Sequence, residues 1–182
     1  MEAAWQVARE KGLAQVTLRD VAELVGMRPP SLYTHFASKN AIYDAMFGDA
    51  WTQFLAYMAA READEPRESR AALRFYARVF FDFAVEVPAR HQLMNLRTIP
   101  DFTPSPEAYA PSVAVMADFV ARMGRRGIDQ QDDIDLFVAI VGGMVDAQLA
   151  NDPGGTRWSR LLDRAIDMYA DGVSISDERS RP

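Results

Sequence analysis

Apolar residues recur along this chain at intervals of three and four, and nowhere do they alternate with polar ones over a useful length. The first spacing lines one face of a helix, whereas a half-buried strand needs a period of two. The chain therefore reads as all-α. Residues 2–11 are rich in good helix formers and stop at Gly12, and Thr17 stands as an N-cap before Leu18, Val21, Ala22 and Val25, with Gly26 closing that short helix. Ser38 caps a longer helix whose stripe is Tyr43, Phe47, Trp51, Phe54 and Met58, and which fades in the charged stretch READEPRES. Leu73, Tyr76, Ala77, Phe80 and Ala84 line a helix from about Arg67 to Val87, ended by Pro88 and followed by the short segment ARHQLMNLR. Four prolines between residues 100 and 111 imply a loop or a kinked helix start. Ser105 and Pro106 form the cap and first position of a helix reaching Gly124, with Val113, Met116, Val120 and Met123 on one side.

The stretch DDIDLFVAIVGGMVDAQLAND is apolar nearly all round, so neighbours or a second chain must enclose it. Gly142 and Gly143 weaken a helix by about 1 kcal/mol each relative to alanine, which close approach of another helix would offset. Trp158, Leu161, Leu162, Ala165, Ile166 and Tyr169 make a last stripe, and the expectation is a four-helix homodimer interface built from residues 132–150 and 156–171 of two chains. The whole reading has about nine helices in three parts: a three-helix head over residues 1–47, a larger helical domain over 48–173 and a polar tail over 174–182.

The sequence GMRPPSLYTHFASK answers why two prolines precede helical residues. The first turn of a helix has N–H groups without intrahelical partners, so Pro29 and Pro30 start a helix at no loss of hydrogen bonds. Two short helices joined by the link GMR make a helix-turn-helix, whose second helix lies in a DNA major groove. Leu32 and Phe36 turn inward, leaving Arg28, Ser31, Tyr33, Thr34 and His35 to face outward as donors and aromatic edges for phosphates and bases. Lys39 adds a charge at the head of the following helix. The net charge of −6 argues at first against DNA, but residues 1–40 carry +1 and leave the remainder at −7. Local charge is what meets phosphates.

The run TLRDVAELVGMRPPSLYTHFASKNAIYDAMF resembles the DNA-binding head of TetR-type transcriptional regulators, over roughly residues 1–47. The resemblance implies an all-α homodimer, a larger C-terminal domain that binds a small molecule, and final helices that pair across the dimer. It makes Thr17 a cap and phosphate neighbour, Tyr33 and His35 a phosphate-contacting pair, and Lys39 a contact at the next helix. Thr34 and the residues around Arg28, Pro29 and Ser31 are then base readers. The family often has Ser or Thr in place of Arg28 and Gly in place of Pro30, so Arg28 reaches either a guanine or a phosphate. The family also commonly has a basic arm before its first helix, which here is expected to be missing or trimmed.

Other readings weigh less. LYTHF could be ordinary packing, but packing alone explains neither the proline start nor the cap with Lys39. His91 is structural or supplies a pocket hydrogen bond. Asp129, Asp132, Asp133 and Asp135 lack the glycine and terminal glutamate of a calcium loop and suit the start of a helix, so no metal is expected. Phe54, Met58, Phe75, Met94, Phe102, Tyr109, Met116, Phe119 and Met144 are core residues by default, with a subset lining an apolar effector cavity.

With no cysteine, no zinc-protease or phosphate-loop motif and only two distant histidines, an enzyme is not expected, nor is a cofactor. The absence of a long apolar run and of a secretory signal fits a cytoplasmic protein without membrane contact. The expected function is a ligand-responsive DNA-binding regulator, a repressor released from a palindromic operator by a small molecule. The alternative is an all-α small-molecule binding protein that no longer engages DNA.

Overall fold

A computed structural model describes residues 1–173; the polar tail expected over 174–182 lies outside them. The described residues form nine α-helices, joined by turns, loops and three short 3-10 helices, and no strand. They are α1 (Glu2–Lys11), α2 (Leu18–Leu24), α3 (Pro29–Tyr33), α4 (Lys39–Ala59), α5 (Ser69–Glu86), α6 (Pro88–Asn95), α7 (Pro106–Gly124), α8 (Gln131–Asn151) and α9 (Leu162–Gly172). None is long and apolar enough to cross a membrane. The chain divides into two compact units: Met1–Ala56 with Val87–Val115, and Tyr57–Glu86 with the chain from Met116 onward. As a packing unit the head therefore carries more than its own three helices.

In the first unit α1 packs on α2 and α6, and α2 on α3, around Trp5, Val16, Leu18, Ala22, Ile42, Tyr43 and Met46. A polar chain runs through it. Trp5 Nε1 donates to Asp49 (2.8 Å), Gln53 donates to the same carboxylate (2.7 Å), and buried Arg90 donates to Gln53 (3.0 Å), joining α1, α4 and α6. Buried His91 meets Asn95 at 3.2 Å. The segment after Pro88 is a helix because proline at its first position forfeits no hydrogen bond.

Two apolar assignments change. Val25 is 48 % exposed because α2 ends one residue before it. On α7 the buried line is Ser112, Val115 and Met123, whereas Val113 (55 % exposed), Met116 and Val120 face solvent. That helix carries two apolar lines at helical spacing, and periodicity alone cannot say which one meets a neighbour.

The second unit packs α5 against α8 and α9 around Leu73, Phe81, Ile134, Phe137, Val141, Leu162 and Ile166. Arg70, Arg74 and Arg78, four residues apart on α5, pair with Asp171, Asp167 and Asp163 on α9 at 2.6, 2.5 and 3.2 Å. The descending order of the partners makes the two helices antiparallel, and this ladder holds their register.

Buried Gln148 governs the α8–α9 connection. Its carbonyl oxygen accepts from the N–H groups of Trp158 (3.0 Å) and Ser159 (3.2 Å), and its amide donates to the carbonyls of Asp152 and Gly155. Residue 155 is glycine because the Asp152 carboxylate fills the space a side chain there would need. Gln148→Leu keeps the volume and strands three of these backbone groups, since the Asp152 carbonyl still accepts from Gly155 N–H (3.1 Å). Urea denaturation should show a loss of about 2 kcal/mol.

Candidate nucleic-acid interface

The turn between α2 and α3 is set by Gly26, whose φ of +68° suits glycine, while Met27 N–H donates to Ala22 O (2.9 Å) and Gly26 N–H to Glu23 O (3.2 Å). These two bonds satisfy the last carbonyls of α2 and reverse the chain within four residues. Thr17 caps α2 by accepting from Asp20 N–H (3.1 Å), and Ser38 caps α4 by accepting from Ala41 N–H (3.2 Å). Pro29 and Pro30 occupy the first two positions of α3, as their missing N–H groups require.

Leu32 is buried and Phe36 half-buried, and these two anchor α3. Arg28, Ser31, Tyr33, Thr34 and His35 are exposed, Tyr33 by 56 %, and Pro29 is half-buried beside them. Among the described residues the side chains of Arg28, Ser31, Tyr33 and His35 have no hydrogen-bond or ion-pair partner. The outer face of α3 is thus a row of unused donors on a braced support. Thr34 differs, since its hydroxyl donates to Ser31 O at 2.6 Å.

Lys39 has a structural task that its exposure did not announce. Its ammonium donates to Ala14 O (2.7 Å) and lies 5.4 Å from the Tyr43 ring centre. Tyr43 in turn donates to Leu13 O (2.7 Å), and burial pushes its hydroxyl pKa up to about 12. Together they tie the 3-10 turn Leu13–Gln15, just ahead of Thr17, to the start of α4. An ammonium has three donors, so this tie leaves Lys39 two more.

The nine apolar candidates for an effector site do not share one setting. Phe54 and Met94 are buried in the first unit, Phe102 packs on Tyr43 (5.8 Å between ring centres), and half-exposed Tyr109 stacks on Phe47 (5.9 Å). In the second unit Phe75, Phe119 and Met144 are half-buried against the core, Met58 is half-buried, and Met116 is exposed. The first unit also has an open groove of about 500 Å³, lined by His35, Asp44, Asp49, Glu107 and Ala108 among others. Two of its carboxylates hold the fold: Asp44 accepts from Ser105 N–H and Oγ, and Asp49 from Trp5 and Gln53. Among the described residues no three His, Cys, Asp or Glu side chains converge as metal ligands.

The sequence reading missed a charged cluster in the second unit. Glu65 accepts from Tyr76 (2.5 Å), Arg126 (2.8 Å) and Arg122, and Arg122 also reaches Asp118 (2.6 Å). Burial alone would raise the Glu65 pKa, but the bonds from Tyr76 and Arg126 and the Arg122 charge hold it below the ordinary carboxylate value. Burial alone would lower the Arg122 pKa, but the carboxylates of Asp118 and Glu65 raise it. READEPRES reads as the fading end of a helix, and nothing local in it signals that Glu65 turns inward.

Residues 1–46 match the model of the family described as bacterial regulatory proteins, tetR family. An uncharacterized HTH-type transcriptional regulator, YobS of Bacillus subtilis (strain 168), is 28 % identical over 97 residues, 53 % of this chain and 50 % of that protein. The chain thus spans about half the length of this curated relative. The crystal structure of the TetR family regulator PfmR from Thermus thermophilus is similar over 95 % of this chain and 97 % of its own, at a TM-score of 0.62 and 22 % identity. That of the regulator FadR from Bacillus subtilis in complex with stearoyl-CoA is similar over 94 % and 96 %, at 0.67 and 15 %. At these identities the likeness is one of fold. Residues 1–46 are a tetR-family regulatory domain, carried by a chain with the all-α fold of solved regulators of that family.

Proposed function

We propose that the protein is a dimeric, ligand-responsive transcriptional regulator, a repressor whose α3 enters the major groove of a palindromic operator. The observation that carries this reading is the row of exposed, unpartnered Arg28, Ser31, Tyr33 and His35 on a helix anchored by buried Leu32. Residues 1–47 then serve DNA and residues 48–173 serve the effector and the partner subunit. Tyr33, His35, Lys39 and Thr17 meet phosphates, while Arg28, Pro29, Ser31 and Thr34 face bases. Two heads about 34–36 Å apart would fit successive major grooves on one side of the duplex. An effector favouring another head separation would release the operator. The stearoyl-CoA complex of a similarly folded regulator supports the effector part of this reading.

Dimerisation through residues 132–150 and 156–171 is supported by two outward lines of apolar and small residues. One is Leu136, Ala139 and Gly143 on α8, and the other is Leu161, just ahead of α9, with Ala165 and Met168 on α9, Met168 being 66 % exposed. A side chain added at Gly142 or Gly143 would meet nothing within 4 Å in the chain itself, leaving room for a helix from a second subunit.

Fluorescence anisotropy on a selected operator tests the DNA reading. Tyr33→Ala and His35→Ala should each weaken binding about fivefold, as expected for one lost phosphate contact, without lowering the melting temperature. Affinity should fall steeply with added salt despite the overall negative charge. Unchanged binding in both variants would refute the assignment. Lys39→Ala is a poorer probe, because losing the bond to Ala14 also loosens the head.

A further inference from the structure

We propose that Pro30 and Thr34 make the head select an A·T pair over G·C at the base pair facing the middle of α3. The proposal rests on the DNA-binding reading above. A helix turns about 100° per residue. With Leu32 buried as the inward point, the residues two before and two after it, Pro30 and Thr34, lie on the opposite side. Thr34 keeps helical backbone angles (φ −72°, ψ −23°), so it remains in line with Pro30 although α3 ends at Tyr33. Both are exposed, and the flanking directions belong to Ser31 and Tyr33.

The chemistry of this pair is narrower than its residue types suggest. Pro30 offers only ring methylenes. Thr34 Oγ1 lies 2.6 Å from Ser31 O, and a carbonyl can only accept, so the single hydroxyl proton is committed there. What Thr34 presents outward is an acceptor oxygen and a methyl group. In the major groove adenine offers its N6 amine and thymine its C5 methyl, so an A·T pair satisfies the acceptor and the apolar surface together. A G·C pair offers the cytosine N4 amine but no methyl, and guanine turns two acceptors, O6 and N7, toward an oxygen that has no proton to give. Arg28 and Ser31 retain free donors, so reading of guanine falls to the flanks of α3 and not to its centre.

Selection of bound duplexes from a random library by the full chain, repeated with Thr34→Ala and Thr34→Ser, tests this. The unsubstituted protein should enrich a motif with one A·T position per half-site preferred about five- to tenfold over G·C. Thr34→Ala should reduce that preference to about twofold or less and leave the other positions as they were. Thr34→Ser keeps the acceptor and loses the methyl, so C·G should rise to near parity with A·T there. An enriched motif indifferent to both substitutions, or one in which Thr34→Ala relaxes a G·C position, would overturn the proposal and leave DNA binding intact. Failure of the unsubstituted chain to enrich any sequence would overturn the DNA-binding reading, and this proposal with it.

Discussion

Replacing Glu65 by alanine should cost about 3 kcal/mol of folding stability, the low end of what removing one partner from a buried ion pair costs. The side chain is 13 % exposed, and so nearly are its partners Arg122 and Arg126, so the loss leaves two guanidinium groups and the Tyr76 hydroxyl short of an acceptor in a poorly solvated place. Solvent cannot fully replace the carboxylate there. The pH dependence gives a second reading of the same contact. The folded carboxyl titrates below its ordinary value of 4.5, so its contribution is present above that pH and disappears as pH falls through the lower folded value. Urea midpoints from pH 7 down to pH 3 should therefore drop less steeply in Glu65→Ala than in the parent. A variant within about 0.5 kcal/mol of the parent, with the same acid profile, would mean that the cluster behaves like exposed surface pairs, worth about 0–1 kcal/mol.

On the proposed pairing of two chains through α8 and α9, Gly143→Glu should give a monomer at micromolar concentration while leaving the single chain folded. The glycine faces outward, and nothing in its own chain lies within 4 Å of where the new side chain would begin. Within one chain the change is favourable, because glutamate is a better helix former by roughly 0.5–1 kcal/mol. In a close-packed helix pair it inserts a long charged group where two backbones approach, and an unpaired buried charge costs several kcal/mol. Sedimentation should accordingly show the mass of one chain, with the helical circular dichroism retained and operator affinity reduced at least about a hundredfold, because two tethered heads become one. If glycine is instead only a weak point in α8, the variant will stay dimeric and melt at a higher temperature.

The sequence makes legible whatever acts within one helical turn. Thr17, Ser38 and Ser105 each accept from the backbone N–H three residues on, and all three caps follow from residue type and spacing. The proline start of α3, the turn at Gly26 and the inward Leu32 are equally local. The Arg70–Arg74–Arg78 and Asp163–Asp167–Asp171 spacings were also legible as a ladder, had the two fourfold periods been compared. The choice between two apolar lines on α7 was not, since both have helical spacing and only the neighbours decide.

The amino-acid order by itself determined the all-α class, the helix-turn-helix and the outward chemistry of α3, because periodicity, capping and proline geometry act between residues three or four apart. Tertiary structure alone decided the rest. Lys39 ties down a carbonyl 25 residues away, Trp5 finds Asp49 across 44 residues, and Glu65 collects two arginines from about 60 residues further on. A polar side chain gives no periodic sign of whether its partner is water or a distant residue. That partner exists only once the intervening helices have packed.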